Sequence, residues 1–484
     1  MPVLVLIGLL GSSVYLFGDT SSAGPNQIAL ILAAGVGIVI GLANGHVWRD
    51  LERGIVHGIS LAMGAILILL VVGALIGTWI LAGVVPTMIY YGLSLLTPAV
   101  YYGAACAICA VVSVATGSSW TTAGTVGVAL IGVATAQELH LGLAAGAVVS
   151  GAYFGDKLSP LSDTTNLAPA MAGTDLFTHI RHLLWTTIPS IVIAVSLFAI
   201  VGLAMTAPRD TVAIETIRAS LGEQFALGWH LLLPVALVLA LVVRRVPAFP
   251  ALLIGSLAGC LFAVIFQGDA VVRFVGEPDL PRWLALVKGA WIALFDGYRL
   301  ESGHAALDTL LSRGGMSSML STVWLILSAM MYGAVLETTG MLQRMAASIL
   351  SAVRGVASLI GATLGTSIAI NVLAADQYMA IVLPGRMFRA EYQRRGLHPK
   401  NLSRTLEDAG TVTSPLIPWN TCGAFMAQTL GVSTFTYAPF AFFNLLSPLV
   451  ALVYAFTGLT IHRAEPGELA PVVAAPPAAD APRA

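Results

Sequence analysis

The sequence predicts an all-α, polytopic membrane bundle of about 10–13 segments, built as two inverted-topology repeats with broken helices or re-entrant hairpins. Three observations lead there. The 484 residues are 57% hydrophobic and 10% charged, whereas a soluble domain carries roughly 25% charge. Apolar runs of spanning length recur along the chain, and no useful length alternates like a strand, so a barrel is excluded. Two polar islands interrupt this apolar sequence, G-D-K-L-S-P-L-S-D-T-T-N at 155–166 and L-E-D-A-G-T-V-T-S-P-L-I-P-W-N-T at 406–421.

Taken in order, runs at 2–18, 27–45, 58–83, 98–117 and 121–137 are long enough to cross a bilayer, and 141–155 leads into the first island. The first run lacks a basic n-region and a cleavage site, so a retained helix is expected. Runs at 183–205, 231–243, 247–267, 319–339, 349–369 and 371–384 follow. The second island continues to about 431, and 438–459 closes the membrane part. Residues 268–318 mix acids, bases and apolar residues and predict amphipathic or short surface helices. The Ala/Pro-rich end predicts a disordered tail. The chain thus divides into N-terminal membrane helices (1–57), a first transport repeat (58–206), connecting helices with a surface segment (207–318), a second repeat (319–463) and the tail (464–484).

Weak internal matches suggest duplication. Gly73-Ala74-Leu75-Ile76-Gly77-Thr78 resembles Gly333-Ala334-Val335-Leu336-Glu337-Thr338 at an offset of 260 (333 − 73). Thr116-Gly117-Ser118-Ser119 resembles Leu364-Gly365-Thr366-Ser367 at 248 (364 − 116), and Ser159-Pro160-Leu161 recurs as Ser414-Pro415-Leu416 at 255 (414 − 159). Placing Arg49, Arg53, Arg181, Arg244, Arg245, Arg344 and the basic cluster from Arg386 to Arg404 in the cytoplasm makes 58–83 run outward and 319–339 inward. The repeat is then inverted, with both termini cytoplasmic.

Lipid does not accept the islands' composition, so both are expected against protein or a water-filled cavity. Paired breaks in two halves point to a transporter's substrate site. Pro160 removes a backbone donor and steers Ser159 out of helix. That frees carbonyls beside the oxygens of Ser159, Ser162, Asp163, Thr164, Thr165 and Asn166, a ligand set for a hard cation. Asp163 also sits where a half-helix restarts, so capping is its other role. Asp156 and Lys157 read either as a self-neutralising structural pair or as a titrating acid beside a structural lysine.

In the second island Asp408, beside Gly410, is the deeper acid. Glu407 is expected to pair with Arg404, with a secondary part in the site as its other reading. Thr411, Thr413, Ser414, Asn420 and Thr421 supply oxygens there, and Trp419 is expected to pack. Glu337 caps its helix, pairs with Arg344, or lies on the ion path. Ser118 and Ser119 fit a hairpin tip that adds hydroxyls or merely turns. The burial of Asp376 is not readable, and His179 and His182 read as a basic cytoplasmic edge. Cys106 and Cys109 have C-x-x-C spacing inside an apolar run and read as small core residues.

At these residues the chain resembles the NhaC-type Na⁺/H⁺ antiporters of the ion transporter superfamily. The strings that carry the resemblance are A-T-G-S-S-W-T-T-A-G-T-V-G-V-A (115–129), S-G-A-Y-F-G-D-K-L-S-P-L-S-D-T-T-N-L-A (150–168), G-T-D-L-F-T-H-I-R-H (173–182), L-S-R-G-G-M-S-S-M (311–319) and L-E-D-A-G-T-V-T-S-P-L-I-P-W-N-T-C-G (406–423). The resemblance runs over about 2–460. It implies exchange of Na⁺ for H⁺ across a bacterial-type plasma membrane without ATP, and no Walker motif is present. Similar proteins exchange malate or lactate coupled to these ions, and these strings do not separate the two groups.

The expectation is therefore alternating-access exchange. Asp163 and Asp408 bind either Na⁺ or protons, with Asn166 and Asn420 as further metal ligands and Thr165, Thr413, Ser414 and Thr421 completing the oxygen shell. The expected partners are the lipid bilayer, Na⁺ and H⁺, with a homodimer as one option of assembly. No cofactor is expected beyond the transported ions. A net charge of −1 offers nothing to nucleic acid. Neither island holds a His to act as a base, which argues against an enzyme.

Overall fold

The computed structural model describes residues 1–18, 21, 24–205, 211–301, 308, 311–351 and 353–464. Apart from Ala464, the expected tail lies outside the described residues. Every named element is a helix. In the first half these are α1 (Pro2–Phe17), α2 (Pro25–Ala43), α3 (Trp48–Leu81), α4 (Val84–Leu95), α5 (Pro98–Thr116), α6 (Ser119–Ala136), α7 (Leu141–Leu158), α8 (Asp163–Ala172) and α9 (Leu176–Ala204). The connector holds α10 (Thr211–Gln224), α11 (Leu233–Val243), α12 (Ala248–Phe266), α13 (Gly268–Val275) and α14 (Arg282–Phe295). The second half holds α15 (Leu320–Thr338), α16 (Met341–Ser351), α17 (Val356–Leu373), α18 (Gln377–Arg394), α19 (Pro399–Leu406), α20 (Thr421–Leu430), α21 (Thr434–Tyr437) and α22 (Phe442–Thr457). Among the described residues eight helices are long and apolar enough to span a membrane, or up to ten if each bent pair is one span.

The helices sort into a frame and a core. In the frame, α3 packs between α12 and α15, while α2 joins α1 to α15. In the core, α7 lies along α5, α9 bridges α5 and α22, and α18 packs on α8 and α17. The α5–α7 seam is close because α7 carries glycines there: a methyl group on Gly151 would stand 2.1 Å from the Cys106 carbonyl. Cys106 and Cys109 are accordingly buried core residues with free thiols. Window for window, α6 is 89% buried. It is apolar because protein, not lipid, surrounds it.

The duplication is in strict register. Helices starting at Pro98, Ser119, Leu141, Asp163 and Leu176 have counterparts starting at Val356, Gln377, Pro399, Thr421 and Thr434, each 258 residues later (356 − 98, 434 − 176). The N-caps obey the same register. Ser118 and Asp376, His140 and His398, and Ser162 and Asn420 each accept a backbone N–H at the start of their helix. Even a buried bond repeats: Ser113 Oγ donates to the Ala152 carbonyl (2.5 Å) and Asn371 Nδ2 to that of Gly410 (2.6 Å). The offsets of 248 and 255 suggested by short matches are thereby corrected, while Gly73 and Gly333 lie outside the five paired helices. Pro160 corresponds to Pro418, and the repeated Ser-Pro-Leu string is a coincidence of composition.

The segment 268–318 departs from expectation. Helices α13 and α14 are amphipathic as predicted, but the Gly314-Gly315 turn is driven into α3. Gly315 N–H donates to the Gly73 carbonyl at 2.7 Å, and a methyl group on Gly77 would lie 2.3 Å from the Ala293 carbonyl. The glycines of α3 make the groove that receives this turn.

Candidate functional site

The first break is a tied loop. Helix α7 ends at Leu158, and the Thr165 hydroxyl donates to the carbonyls of Asp156 (3.0 Å) and Lys157 (3.1 Å). Ser159 Oγ accepts the Leu161 N–H (3.3 Å), and Asn166 Nδ2 donates to the carbonyls of Pro160 (2.9 Å) and Ser162 (2.6 Å). The second break passes through a π turn, Glu407–Thr411, and a short 3₁₀ turn, Ser414–Leu416. There Thr413 Oγ1 donates to the Ala409 carbonyl (2.6 Å), and Ser414 Oγ donates to that of Thr411 (2.7 Å). Asn420 Oδ1 accepts the Cys422 N–H (3.0 Å), and its Nδ2 donates to the Asn371 carbonyl (3.1 Å). Thr165, Asn166, Thr413 and Asn420 thus spend their side chains holding the breaks in shape.

Between the breaks and α3 lies a cavity of about 660 Å³. Asp156, Asp163 and Asp376 line it, with Ser118, Ser119, Thr121, Gln377, Tyr378 and Thr421, and Arg245 is its one cationic residue. Asp156 is 5% exposed. Its Oδ2 accepts from the Ser119 hydroxyl (2.6 Å) and N–H (3.2 Å), while Oδ1 makes no hydrogen bond of ordinary geometry among the described residues. Asp163 is exposed on the cavity side; Oδ1 accepts the Thr164 N–H (2.9 Å), and Oδ2 takes the Tyr378 hydroxyl. Asp376 is buried and caps α18 through the Met379 N–H at 2.9 Å. No trio of His, Cys, Asp or Glu among the described residues converges as a metal cluster would. An ion here would sit on one carboxylate and neutral oxygens. Trp120, stacked on Phe425 (4.0 Å, 13°), clamps α6 to α20 beside the cavity.

Asp408 is not on that cavity. It is fully buried and its Oδ1 accepts from Lys157 Nζ, Thr186 Oγ1 (2.8 Å) and Ser447 Oγ (3.1 Å). Lys157 therefore bonds across the two halves, not to its neighbour Asp156, which corrects the adjacent-pair reading. Arg404 Nε stands 3.9 Å from Asp408 Oδ2 and its Nη1 donates to the Thr460 hydroxyl (2.7 Å). Glu407 is fully buried and makes no ion pair among the described residues, so its expected pairing with Arg404 is also corrected. His179 and His182 are buried rather than on a basic edge; His179 Nδ1 lies 2.8 Å from Ser403 Oγ. Glu337 is half-buried at the end of α15 and does not line the cavity.

Sequence reasoning left Asp376 undecided and did not reach Tyr378, Thr186 and Ser447. Only Asp376 had a usable signal, for it occupies the position of Ser118 in the second repeat. Thr186 and Ser447 are single hydroxyls in apolar helices, where nothing local marks them.

Comparison with known proteins places the chain among membrane antiporters by sequence. A model of the Na⁺/H⁺ antiporter family matches residues 151–459. The chain is 41% identical to the Na⁺/H⁺ antiporter NhaC of Alkalihalophilus pseudofirmus over 91% of each chain. It is 36% identical to a malate-2H⁺/Na⁺-lactate antiporter of Bacillus subtilis over 90% of each. The arginine/ornithine antiporter ArcD of Halobacterium salinarum is 36% identical, over 97% of this chain and 93% of its own.

Proposed function

The chain belongs to the Na⁺/H⁺ antiporter family, and we propose from that premise that it exchanges Na⁺ for H⁺ across the plasma membrane by alternating access. The observation that carries the site assignment is the uncommitted Oδ1 of Asp156, buried at the edge of a cavity that Asp163 and Asp376 also line. A carboxylate holds a proton or a sodium ion, not both, so each can leave only as the other arrives. Asp156 and Asp163 are the exchanging acids. Ser118, Ser119, Thr121 and Thr421 supply the neutral oxygens that a hard cation takes in place of water.

Asp408 has a second part. While Lys157 neutralises it, it offers no seat for a cation; release of Lys157 would open one at the junction of the two halves. Both termini and the arginine-rich loops face the cytoplasm in this reading. No cofactor takes part; Na⁺ and H⁺ are the cargo. Dimerisation is proposed only as an assembly to be tested by mass in detergent.

The test is dequenching of a pH-sensitive dye in inverted vesicles energised inside-acid. Added Na⁺ should dequench it, and Asp156→Asn should abolish the signal while the protein stays in the membrane at wild-type level. Full dequenching by Asp156→Asn would overturn the assignment. A response to malate with none to Na⁺ would overturn the exchange itself.

A further inference from the structure

An apolar slot of about 440 Å³ opens between α4, α6 and α11, and it shares no residue with the acidic cavity. Apart from the Tyr91 hydroxyl and the Trp229 indole N–H, its side chains offer no nitrogen or oxygen. Small residues hollow it out: Gly92 on α4, Ala129 on α6 and Ala236 on α11. The slot lies on a seam, for α11 packs on α12 of the frame while α6 packs on α7 of the core.

We propose that this slot holds one acyl chain of a resident phospholipid, whose phosphate sits at the Trp229 end. Size argues for a chain. The wall on α6 runs from Val126 to Val133, a rise of about 10 Å (seven steps of 1.5 Å). A volume of 440 Å³ over that length gives a cross-section of about 40 Å², roughly 6–7 Å across. A helix with its side chains needs about 10–12 Å, so a second copy of this chain lies over such a slot without entering it. Lined this way, the slot offers water almost no partners, and left unfilled it deprives its walls of contacts on one side. A single hydrocarbon chain is thin enough, and a length of about 10 Å fits within one leaflet of an apolar core about 30 Å thick.

Moving a chain from bilayer to slot gains little hydrophobic free energy, because lipid is as apolar as the walls. Residence therefore needs a polar hold, and the Trp229 end provides one. Trp229 stacks on Tyr91 (3.9 Å, 15°), Tyr91 meets Tyr90 edge to face (5.4 Å, 84°), and the Arg218 guanidinium lies over the Tyr90 ring at 4.5 Å. Tyr and Trp rings favour the level of the headgroups. A guanidinium matches a phosphate with two parallel donors. Among the described residues Arg218 gives one N–H to Glu215 (3.2 Å), which leaves the rest of its fork for a lipid phosphate. The site stands apart from cation exchange at the acidic cavity and does not rest on it.

The experiment is native mass spectrometry of the full-length protein, reconstituted in vesicles of phosphatidylglycerol and phosphatidylethanolamine and extracted in mild detergent. One phospholipid retained per chain is expected. Ala236→Phe fills the slot from an exposed position and should lower that occupancy about tenfold. Leu237→Trp, on the same helix but off the slot, should leave it unchanged, and Arg218→Gln should lower it about fivefold. The variants are compared as proteins that elute from a sizing column as the wild type does. The wild type alone suffices to refute the proposal: no retained phospholipid, or a lipid-free dimer that covers the slot, would overturn it. Equal retention in Ala236→Phe would do the same, as would equal loss in Ala236→Phe and Leu237→Trp, because the lipid would then belong to the general surface. Unchanged retention in Arg218→Gln would overturn the placement of the phosphate.

Discussion

Lys157 joins the two halves of the molecule through one ammonium group, shared between Asp408 and Ser447. The sequence places it beside Asp156, and the adjacent-pair reading followed from that proximity. A helix forbids it: neighbours at i and i+1 point about 100° apart and do not face each other. Asp156 turns to α6 while Lys157 turns to the second repeat. Removing one partner of such a pair leaves a buried charge alone, at a cost of roughly 3–5 kcal/mol. Lys157→Met should therefore melt well below the wild type in detergent, and Lys157→Met with Asp408→Leu should recover most of the loss. A double variant no more stable than the single one would show that the pair does not hold the halves together. The same periodicity explains His179 and His182, which share one helix face and so turn inward together, a fact their basic surroundings in sequence conceal.

The caps carry the lesson of the individual helices. Short string matches gave three discordant offsets because three-residue identities arise by chance, whereas a cap position is imposed by backbone geometry. Ser118 and Asp376 do the same mechanical work in the two repeats, since each has an oxygen that accepts the orphan N–H of a first turn. Only the second adds a charge to the cavity. Asp376→Ser should then melt within about 1 kcal/mol of the wild type, because the cap survives, while its apparent affinity for Na⁺ in the dequenching assay falls. Asp376→Ala should lose the cap as well and melt lower, by about 1 kcal/mol. Equal melting of the Ser and Ala variants would refute the capping account. The broken helices were legible from Pro160 and Pro418 in their polar islands. Their pairing was not, because it depends on where distant helices begin.

Across the whole molecule, charge separates the acidic cavity from a second one, also of about 660 Å³, whose charged lining is Asp296, Arg299 and Arg313. Asp156, Asp163, Asp376 and Arg245 leave the acidic one at −2 (one positive, three negative), while the other is at +1. Both touch α3, the first from Leu61 to Ile68 and the second at Ile76, and both touch α20, the first at Thr421 and the second along its length from Ala424 to Gly431. They are therefore stacked along the direction in which α3 crosses. Cysteines introduced for Leu61 and Ser433 should react with an impermeant thiol reagent from opposite faces of oriented vesicles, Leu61→Cys from the cytoplasmic side. Reaction of both from one face would disprove the stacking. The arginines give an orientation that this labelling tests, whereas nothing in the sequence marks the second cavity. Its walls come from a connector that reads as surface, since amphipathic sequence enclosed by protein looks the same as amphipathic sequence facing water.

One feature governs how such a molecule can move. Helix α20 has 10 residues, a rod of about 15 Å, free of covalent helical continuation at Asn420 and ending at Gly431. Its Thr421 end lines the acidic cavity, and Trp120 stacks on Phe425 one turn further along, so a tilt of the rod about that contact would reshape the cavity directly. The width of the acidic cavity is thereby tied to the angle of one short rod, with no relay of side chains required.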